Sequence, residues 1–234
     1  MMKQWISTTL AVAVLAMPAF SQTAEQLMER ARLAATLQQA DLTGNISGPG
    51  GKTNVALFLK GKNIQFQFLE NKKWVPFHLR LGGNQFDLFE FKDGKTLRFP
   101  NEKLRQPIAG SDLTYEDLSF RFLYWPKPSL LGDERVGPHN CYKIRVNNPG
   151  AGGAYSVVYV WVHKEFGAFM KIEGFDRNGT RLKRFEVDGV MKLSDGSYTL
   201  KEMTVATMNG DRAASRSKLR FDKPTRTAPG GGPR

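Results

Sequence analysis

Three consecutive side chains in the middle of the chain are the clearest candidates for proton chemistry. Tyr115, Glu116 and Asp117 place a phenol beside two carboxylates. General acid–base catalysis would need a partner group brought close to them in space. Acidic side chains also favour the first turn of a helix, because they complement its positive end. Thr114 stands where a helix would begin, and helix initiation is the interpretation that we favour.

Two further patterns resemble a metal site and a nucleotide site, and neither is complete. His139 and Cys141 are spaced like a pair of metal ligands, but a structural zinc site needs four ligands. Gly51-Lys52-Thr53 matches the end of a phosphate-binding loop, yet Ile46 stands where that motif requires glycine. With only 1 cysteine and 3 histidines in the chain, we expect no disulfide, no metal, no cofactor and no enzymatic activity.

The composition is that of a folded and basic protein. Of 234 residues, 41% are hydrophobic and 24% are charged, which excludes a disordered chain and a bundle of membrane helices. Lys and Arg total 34 against 22 Asp and Glu, which gives a net charge of +12. No nucleic-acid-binding module accompanies this charge, so we expect no nucleic-acid partner. Attraction to anionic lipid head groups and a merely solvated basic surface both fit the charge.

The N-terminus has the three parts of a secretory signal. Lys3 supplies the positive charge, residues 6–17 form an uncharged run, and Ala19 and Ser21 are the small residues before a cut. We expect cleavage between Ser21 and Gln22, and export to the periplasm. No later stretch is long and apolar enough to cross a bilayer, so the mature chain should have no transmembrane span.

One amphipathic helix should follow the cut. Thr23 and Gln26 have the spacing of a capping box. The residues after them are mostly Ala, Leu, Glu, Arg and Gln, all of which favour helices. Leu27 and Ala31 lie on one apolar stripe. The sequence therefore predicts a helix of about four turns over Ala24–Gln39.

Beyond the helix the hydrophobic period changes to two, which indicates strands. Phe66 and Phe68 alternate with glutamines, and Ile144 alternates with basic residues on either side. Turn signals such as Asp93-Gly94 recur along the chain, as in an antiparallel meander. The pattern predicts ten or eleven strands, interrupted by a loop and a short helical insert between Asn101 and Pro128.

Several strands are apolar on both faces, although an antiparallel sheet usually has one wet face. Tyr159 and Trp161 share one face of a predicted strand, while Val158 and Val160 share the other. A two-layer sandwich explains this pattern, and so does one curved sheet wrapped around the N-terminal helix and the insert. A curved sheet of the second kind can hold a hydrophobic cavity.

A nine-residue segment of the insert carries a resemblance to a known family. The segment reads Gly110-Ser111-Asp112-Leu113-Thr114-Tyr115-Glu116-Asp117-Leu118. It resembles a signature of the outer-membrane lipoprotein-sorting-like proteins, which are relatives of the periplasmic lipoprotein carrier LolA. Pattern-level similarity runs from Lys60 to Phe221 and is strongest from Gly110 to Val187. The resemblance implies an unclosed β-barrel of about eleven strands with helices across its mouth. In the carrier itself, that cavity receives the acyl chains of a lipoprotein.

Two groups of apolar residues form the candidate ligand site. The strand residues that we expect to face the cavity are Phe58, Phe66, Phe68, Phe77, Tyr159 and Trp161. The insert residues that would form a lid over it, or else a packed plug, are Tyr115, Leu118, Phe120, Phe122 and Trp125. A total of 16 phenylalanines also suits an ordinary filled core.

Taken together, the sequence predicts a mainly β protein: one curved antiparallel sheet in an open barrel of about eleven strands, covered by the N-terminal helix and the insert. Residues 1–21 would be the signal peptide, 22–222 the barrel domain and 223–234 a disordered tail. The predicted function is a monomeric periplasmic carrier or chaperone that binds acyl chains of lipid or lipoprotein. It would meet a donor or acceptor protein in the inner or outer membrane. The alternative is a non-enzymatic interaction module for an envelope membrane protein or an export machine, without lipid cargo.

Overall fold

The computed structural model describes residues 22–36, 40–60, 63–82, 85–92, 94–150, 152–194 and 196–224. The expected signal peptide and its cut after Ser21 lie outside the described residues, as does the expected tail from residue 225 onward. Within the described ranges, none of the helices has the length and apolar character that crossing a bilayer requires.

Strands dominate the described part of the chain, and the helices are few. The helices are α1 (Ala24–Thr36) and α2 (Tyr115–Ser119), with 3₁₀ turns at Asn101–Arg105 and Arg121–Tyr124. The strands before the insert are β1 (Ala40–Gly48), β2 (Gly51–Lys60), β3 (Asn63–Glu70), β4 (Lys73–Gly82), β5 (Gln85–Lys92) and β6 (Lys95–Arg98). Those after it are β7 (Ser129–Val136), β8 (His139–Asn147), β9 (Val157–His163), β10 (Phe169–Phe175), β11 (Arg181–Lys192), β12 (Tyr198–Asn209) and β13 (Arg212–Phe221).

All the strands belong to one 13-stranded antiparallel sheet, in the order β6-β5-β4-β3-β2-β1-β13-β12-β11-β10-β9-β8-β7. The first and last strands pair at its centre, where Ile46 lies opposite Leu219. The sheet is not closed, since β6 and β7 end it on opposite sides. The curved, open barrel is therefore confirmed, and the two-layer sandwich is excluded.

The sheet has more strands than the sequence pattern indicated. β6 is exposed along its whole length, and β7 is exposed at seven of its 8 residues. Neither strand therefore needs the alternation of apolar and polar residues that identified the others. Both are edge strands, where one side of the backbone ladder has no neighbouring strand.

Helix α1 begins where the sequence predicts. The Thr23 amide donates to Gln26 Oε1 at 2.9 Å, and the Gln26 amide donates to Thr23 Oγ1 at 3.2 Å, which completes the predicted capping box. The helix ends at Thr36, and the last three residues of the predicted span lie outside the described residues. Leu27 and Ala31 are buried on its inner face, as their spacing predicts.

The insert between β6 and β7 crosses the inside of the sheet, because those two strands lie at opposite edges. The Tyr115 ring packs against three phenylalanines, with centroids 5.9 Å from Phe68, 5.4 Å from Phe77 and 4.8 Å from Phe99. Thr114 is the N-cap of α2, so the predicted helix start is also confirmed. The insert is thereby anchored in the core by aromatic packing.

We predict that Leu27→Ala lowers the free energy of unfolding by about 2–5 kcal/mol, because Leu27 is 0% exposed and its removal leaves a cavity. Urea denaturation followed by far-UV circular dichroism measures the change. Leu131→Ala is the matched control, since Leu131 is 52% exposed and should give a change within about 0.5 kcal/mol. Equal losses in the two variants would contradict the packing of α1 into the core.

Candidate functional site

An apolar cavity of about 610 Å³ opens between the sheet, α1 and the insert. Its wall consists mainly of aliphatic and aromatic side chains from both halves of the sheet and from the insert. They include Leu42, Leu57, Leu59, Ile64, Phe66, Leu118, Phe120, Leu123, Phe169, Val187, Leu200 and Phe221. The volume lies within the roughly 300–1,000 Å³ that is usual for small-molecule sites.

The strand register decides which side chains reach the cavity. Leu57 pairs with Phe66 across β2 and β3, and Leu59 pairs with Ile64, so these four residues share one face. Phe58 pairs with Gln65 and therefore points to the opposite face. Side chains alternate along each strand, so a shift of one residue exchanges the two faces completely.

The structure brings one of the six predicted strand aromatics to the cavity wall, namely Phe66. Phe68 and Phe77 are buried beneath the insert, where they contact Tyr115. Phe58 lies on the outer face of its strand. A ligand contact for any of them stays a prediction, and the geometry favours Phe66.

Tyr159 and Trp161 also lie on the outer face, opposite the core residues of β9. Trp161 is nevertheless only 1% exposed. The ammonium groups of Lys143 and Lys171 lie 4.9 and 4.2 Å from its ring centroid and cover it. Cation–π contacts of this kind explain why the strand is apolar on both faces although only one faces the core.

The predicted lid residues divide between the cavity wall and the packed core. Leu118 and Phe120 line the cavity, whereas Phe122 and Trp125 are buried in the core. Phe120 has a φ of 47° at the end of α2, a left-handed conformation that bulky residues rarely adopt. Its ring lies 5.2 Å from Phe169 in the cavity wall. Backbone strain is thus located where the insert meets the cavity.

Sequence reasoning missed the residues at the cavity mouth. His139, His163, Phe166 and Tyr198 line it. The two histidine rings are 5.1 Å apart, but the described residues contain no group of three His, Cys, Asp or Glu side chains placed to hold a metal. A signal was present in the sequence, because Phe166 is an apolar residue in the turn at residues 164–166, where polar residues are usual.

Near the start of the nine-residue signature, the buried carboxylate of Asp112 ties the insert to the sheet. Asp112 is 5% exposed and accepts hydrogen bonds from the hydroxyls of Thr207, Ser215 and Ser217. Burial alone would raise the pKa of Asp112, but these three hydrogen bonds and the positive charge of Lys183 together outweigh it and lower the pKa overall. The Lys183 ammonium donates to the Asp112 carbonyl oxygen. The insert is therefore fixed to β11, β12 and β13.

Asp117 forms a second buried anchor. Its Oδ2 accepts from the Thr114 amide at 2.8 Å, and the Asp117 amide donates to Thr114 Oγ1 at 3.2 Å. The Tyr155 hydroxyl donates to Asp117 Oδ1. Burial raises the pKa of Asp117, while Lys183 and the hydrogen bond from Tyr155 oppose that rise. The carboxylate thus starts α2 and holds it to the segment before β9.

Glu116 is the least satisfied member of the signature. Its Oε2 accepts from the Ala154 amide at 2.6 Å, but none of the described residues donates a hydrogen bond to its Oε1. Arg121 Nε is 3.9 Å from that oxygen. The side chain is 1% exposed, and burial raises its pKa to about 7. The group therefore changes charge near neutral pH, two residues before the cavity-lining Leu118.

A second, polar cleft of about 750 Å³ lies beside the loop that receives Glu116. Several of its polar side chains form hydrogen bonds within the loops themselves. Asn148 donates to the carbonyls of Gly152 and Tyr155 at 3.0 and 2.8 Å, and Asp176 accepts from two amides of its own turn. The apolar cavity is consequently the better candidate for a ligand site.

Comparisons with known proteins agree with this architecture. A family model described as an uncharacterized protein matches residues 82–227. A putative outer membrane lipoprotein-sorting protein domain from Vibrio parahaemolyticus is similar, with a TM-score of 0.65 and 14% identity over 86% of this chain and 90% of that one. A LolA superfamily protein from Nitrosomonas europaea gives a TM-score of 0.65 and 17% identity over 89% and 96% of the two chains.

A third similar structure is a DUF1329 family protein from Desulfovibrio piger, with a TM-score of 0.63 and 16% identity over 85% of this chain and 90% of that chain. No curated protein sequence matches the chain. At these identities the likenesses show the fold, and they confirm the LolA-like architecture that the signature predicted.

We predict that Glu116→Gln makes protein stability less dependent on pH. The pKa of Glu116 in the folded state, about 7, lies above its ordinary value of 4.5. The stability that the protonated acid contributes is therefore present below pH 4.5 and is lost as the pH rises through 7. The variant should match the native protein at low pH and exceed it at pH values above 7 by up to about 3 kcal/mol.

Urea denaturation at a series of pH values measures the difference between native protein and variant. Glu102→Gln is the control, because Glu102 is exposed on a neighbouring turn of the insert. A difference between Glu116→Gln and native protein that stays constant with pH would contradict the raised pKa.

Proposed function

Since the chain belongs to the matched family and has the LolA-like fold, we propose that it is a carrier of acyl chains from lipid or lipoprotein. The observation that supports this proposal most directly is the apolar cavity of about 610 Å³. An interaction module without cargo would fill that space with side chains. The curved sheet and the insert instead leave it open at one side.

The chemistry of the wall suits a ligand without hydrogen-bonding groups. The Ser119 hydroxyl, which lines the cavity, already donates to the Glu116 carbonyl at 2.6 Å. Asp188 lies at the exposed mouth and accepts from the Thr204 hydroxyl at 2.5 Å. An apolar chain therefore displaces no hydrogen bond of these two groups when it enters.

Burial of the ligand supplies the driving force. Each CH₂ group transferred from water gains roughly 0.8 kcal/mol, so a 16-carbon chain gains roughly 10 kcal/mol before the costs of binding. A wall of leucine, valine and phenylalanine does not distinguish one saturated chain from another. We therefore propose selection by chain length and apolar character, with the head group left at the mouth.

The site of action and the mode of action follow from the same proposal. The signal features before Gln22 support export, and we propose that the mature protein works as a periplasmic monomer. It would take its cargo from a donor in one membrane and give it to an acceptor. We propose binding without catalysis, because the cavity wall is mainly aliphatic and aromatic and Nδ1 of its His163 accepts the amides of the Phe166 turn.

Two neighbouring residues of β2 provide the test. Leu57→Asp should lower the affinity for palmitate by about tenfold or more, because it places a carboxylate in the cavity wall where an apolar chain would bury it. Phe58→Asp is the matched control, since both side chains are half-buried and Phe58 faces the opposite side of the sheet. Isothermal titration calorimetry of both variants and the native protein measures the affinities.

Circular dichroism establishes that the variants are folded, and Val187→Asp replaces Leu57→Asp if the latter is not, because Val187 is a half-buried residue of the same wall. No palmitate binding by the native protein would favour the interaction module. Equal losses in Leu57→Asp and Phe58→Asp would place the ligand elsewhere than in this cavity.

A further inference from the structure

Two strongly exposed aromatic side chains lie at the mouth of the cavity. Of the large hydrophobic residues in the described ranges, Phe166 and Tyr198 are the most exposed, at 69% and 59%. Both line the cavity, as does Val190, which is exposed on the neighbouring strand. We call these three residues the mouth surface. An apolar patch at the entrance of a site usually marks an interaction.

The turn that carries Phe166 is held in place by several contacts. His163 Nδ1 accepts from the amides of Glu165 and Phe166, each at 3.2 Å. Arg30 of α1 donates to the Glu165 carbonyl at 2.9 Å. The Phe166 ring stacks on the His163 ring with centroids 4.6 Å apart. The exposed Phe166 ring therefore projects from a turn that these contacts hold in place.

Cationic side chains flank these apolar residues. The Lys192 ammonium lies 5.9 Å from the Tyr198 ring centroid, and Arg30 contacts the Phe166 turn. Lys164 belongs to that turn and pairs with Asp133. Carboxylates nearby include Asp133, Glu165 and Asp188, and the last of these accepts the Thr204 hydroxyl. Exposed aromatic residues bordered by Lys and Arg are typical of protein surfaces that bind the interface of an anionic bilayer.

We propose that the mouth surface docks on an anionic phospholipid bilayer, with Phe166 and Tyr198 entering the head-group region. This inference rests on the proposed function, because an acyl chain that moves between a bilayer and the cavity must pass the mouth. An acyl chain that crosses water exposes every CH₂ group on the way. Docking the mouth on the bilayer removes that exposure, since the apolar cavity then adjoins the acyl region directly.

The basic character of the protein supports the same partner. Removal of residues 1–21 takes away only Lys3, so 33 Lys and Arg remain against 22 Asp and Glu. This positive charge attracts the whole molecule to an anionic surface, and the apolar residues then decide which side touches it. The Tyr198 ring is amphipathic and the Phe166 ring is apolar, and side chains of both kinds occur where proteins enter the membrane–water interface. A partner protein is the competing occupant of the mouth surface, and binding to vesicles made of phospholipid alone distinguishes the two.

Vesicle flotation with purified native protein and variants tests the docking. The vesicles contain phosphatidylethanolamine with phosphatidylglycerol, or phosphatidylcholine alone as the uncharged reference. The Phe166→Ser/Tyr198→Ser double variant should bind the anionic vesicles about tenfold more weakly, because binding scales with buried apolar area. Phe91→Ser is the matched control, since Phe91 is 52% exposed and lies outside the cavity wall. It should bind like the native protein.

Palmitate binding, measured on the same samples, separates this inference from the proposed function. Native protein that binds vesicles but not palmitate would overturn the carrier function and leave the docking. Three results would overturn the docking itself: no binding of native protein to anionic vesicles, native-like binding by the double variant, or an equal loss in Phe91→Ser. If the double variant does not fold, Phe166→Ser alone decides, with an expected loss in the same direction.

Discussion

The chain leaves the sheet at β6 on one edge and returns at β7 on the other, and this constraint organises the rest of the molecule. The residues between them must cross the inside of the curved sheet, so they cannot be a solvent-exposed loop. Backbone and side-chain polar groups of a crossing segment are taken out of water and need partners. The buried carboxylates of Asp112 and Asp117 have such partners. Hydroxyls of β12 and β13 donate to Asp112, and the phenol of Tyr155 donates to Asp117. The family signature is thus the set of residues that makes the crossing stable.

The cavity is a consequence of the same crossing. Tyr115 packs against β3 and β4 on one side of the insert, and Phe122 packs against Phe185 of β11 on the other. Between these contacts, Leu118 and Phe120 form one wall of the cavity, and the sheet forms the rest. Since the buried carboxylates of Asp112 and Asp117 hold the middle of the insert in place, it does not collapse into this space. Glu116, with a pKa near 7, lies within the same short helix and makes its stability sensitive to pH.

Local signals in the sequence predicted the elements, and long-range contacts decided the site. The capping boxes at Thr23 and Thr114 involve residues three apart, so spacing alone predicted both helix starts. The hydroxyl partners of Asp112 lie 95 to 105 residues further along the chain, and no local pattern connects them. We predicted that Phe58 faces the cavity, but its neighbour Leu57 does. A shift of one residue in strand register exchanges the two faces of the sheet. Trp161 is buried on the outer face by lysine side chains, which hydrophobic periodicity does not anticipate.

Under the proposed function, the cavity beneath the insert carries an acyl chain. Native mass spectrometry of the protein purified from its own envelope, with lipid extraction of the same sample, tests it most directly. We expect a bound species that carries at least one acyl chain and that is absent from Leu57→Asp purified in the same way. A mass equal to that of the polypeptide alone, unchanged after incubation with phospholipid and with an acylated peptide, would contradict it.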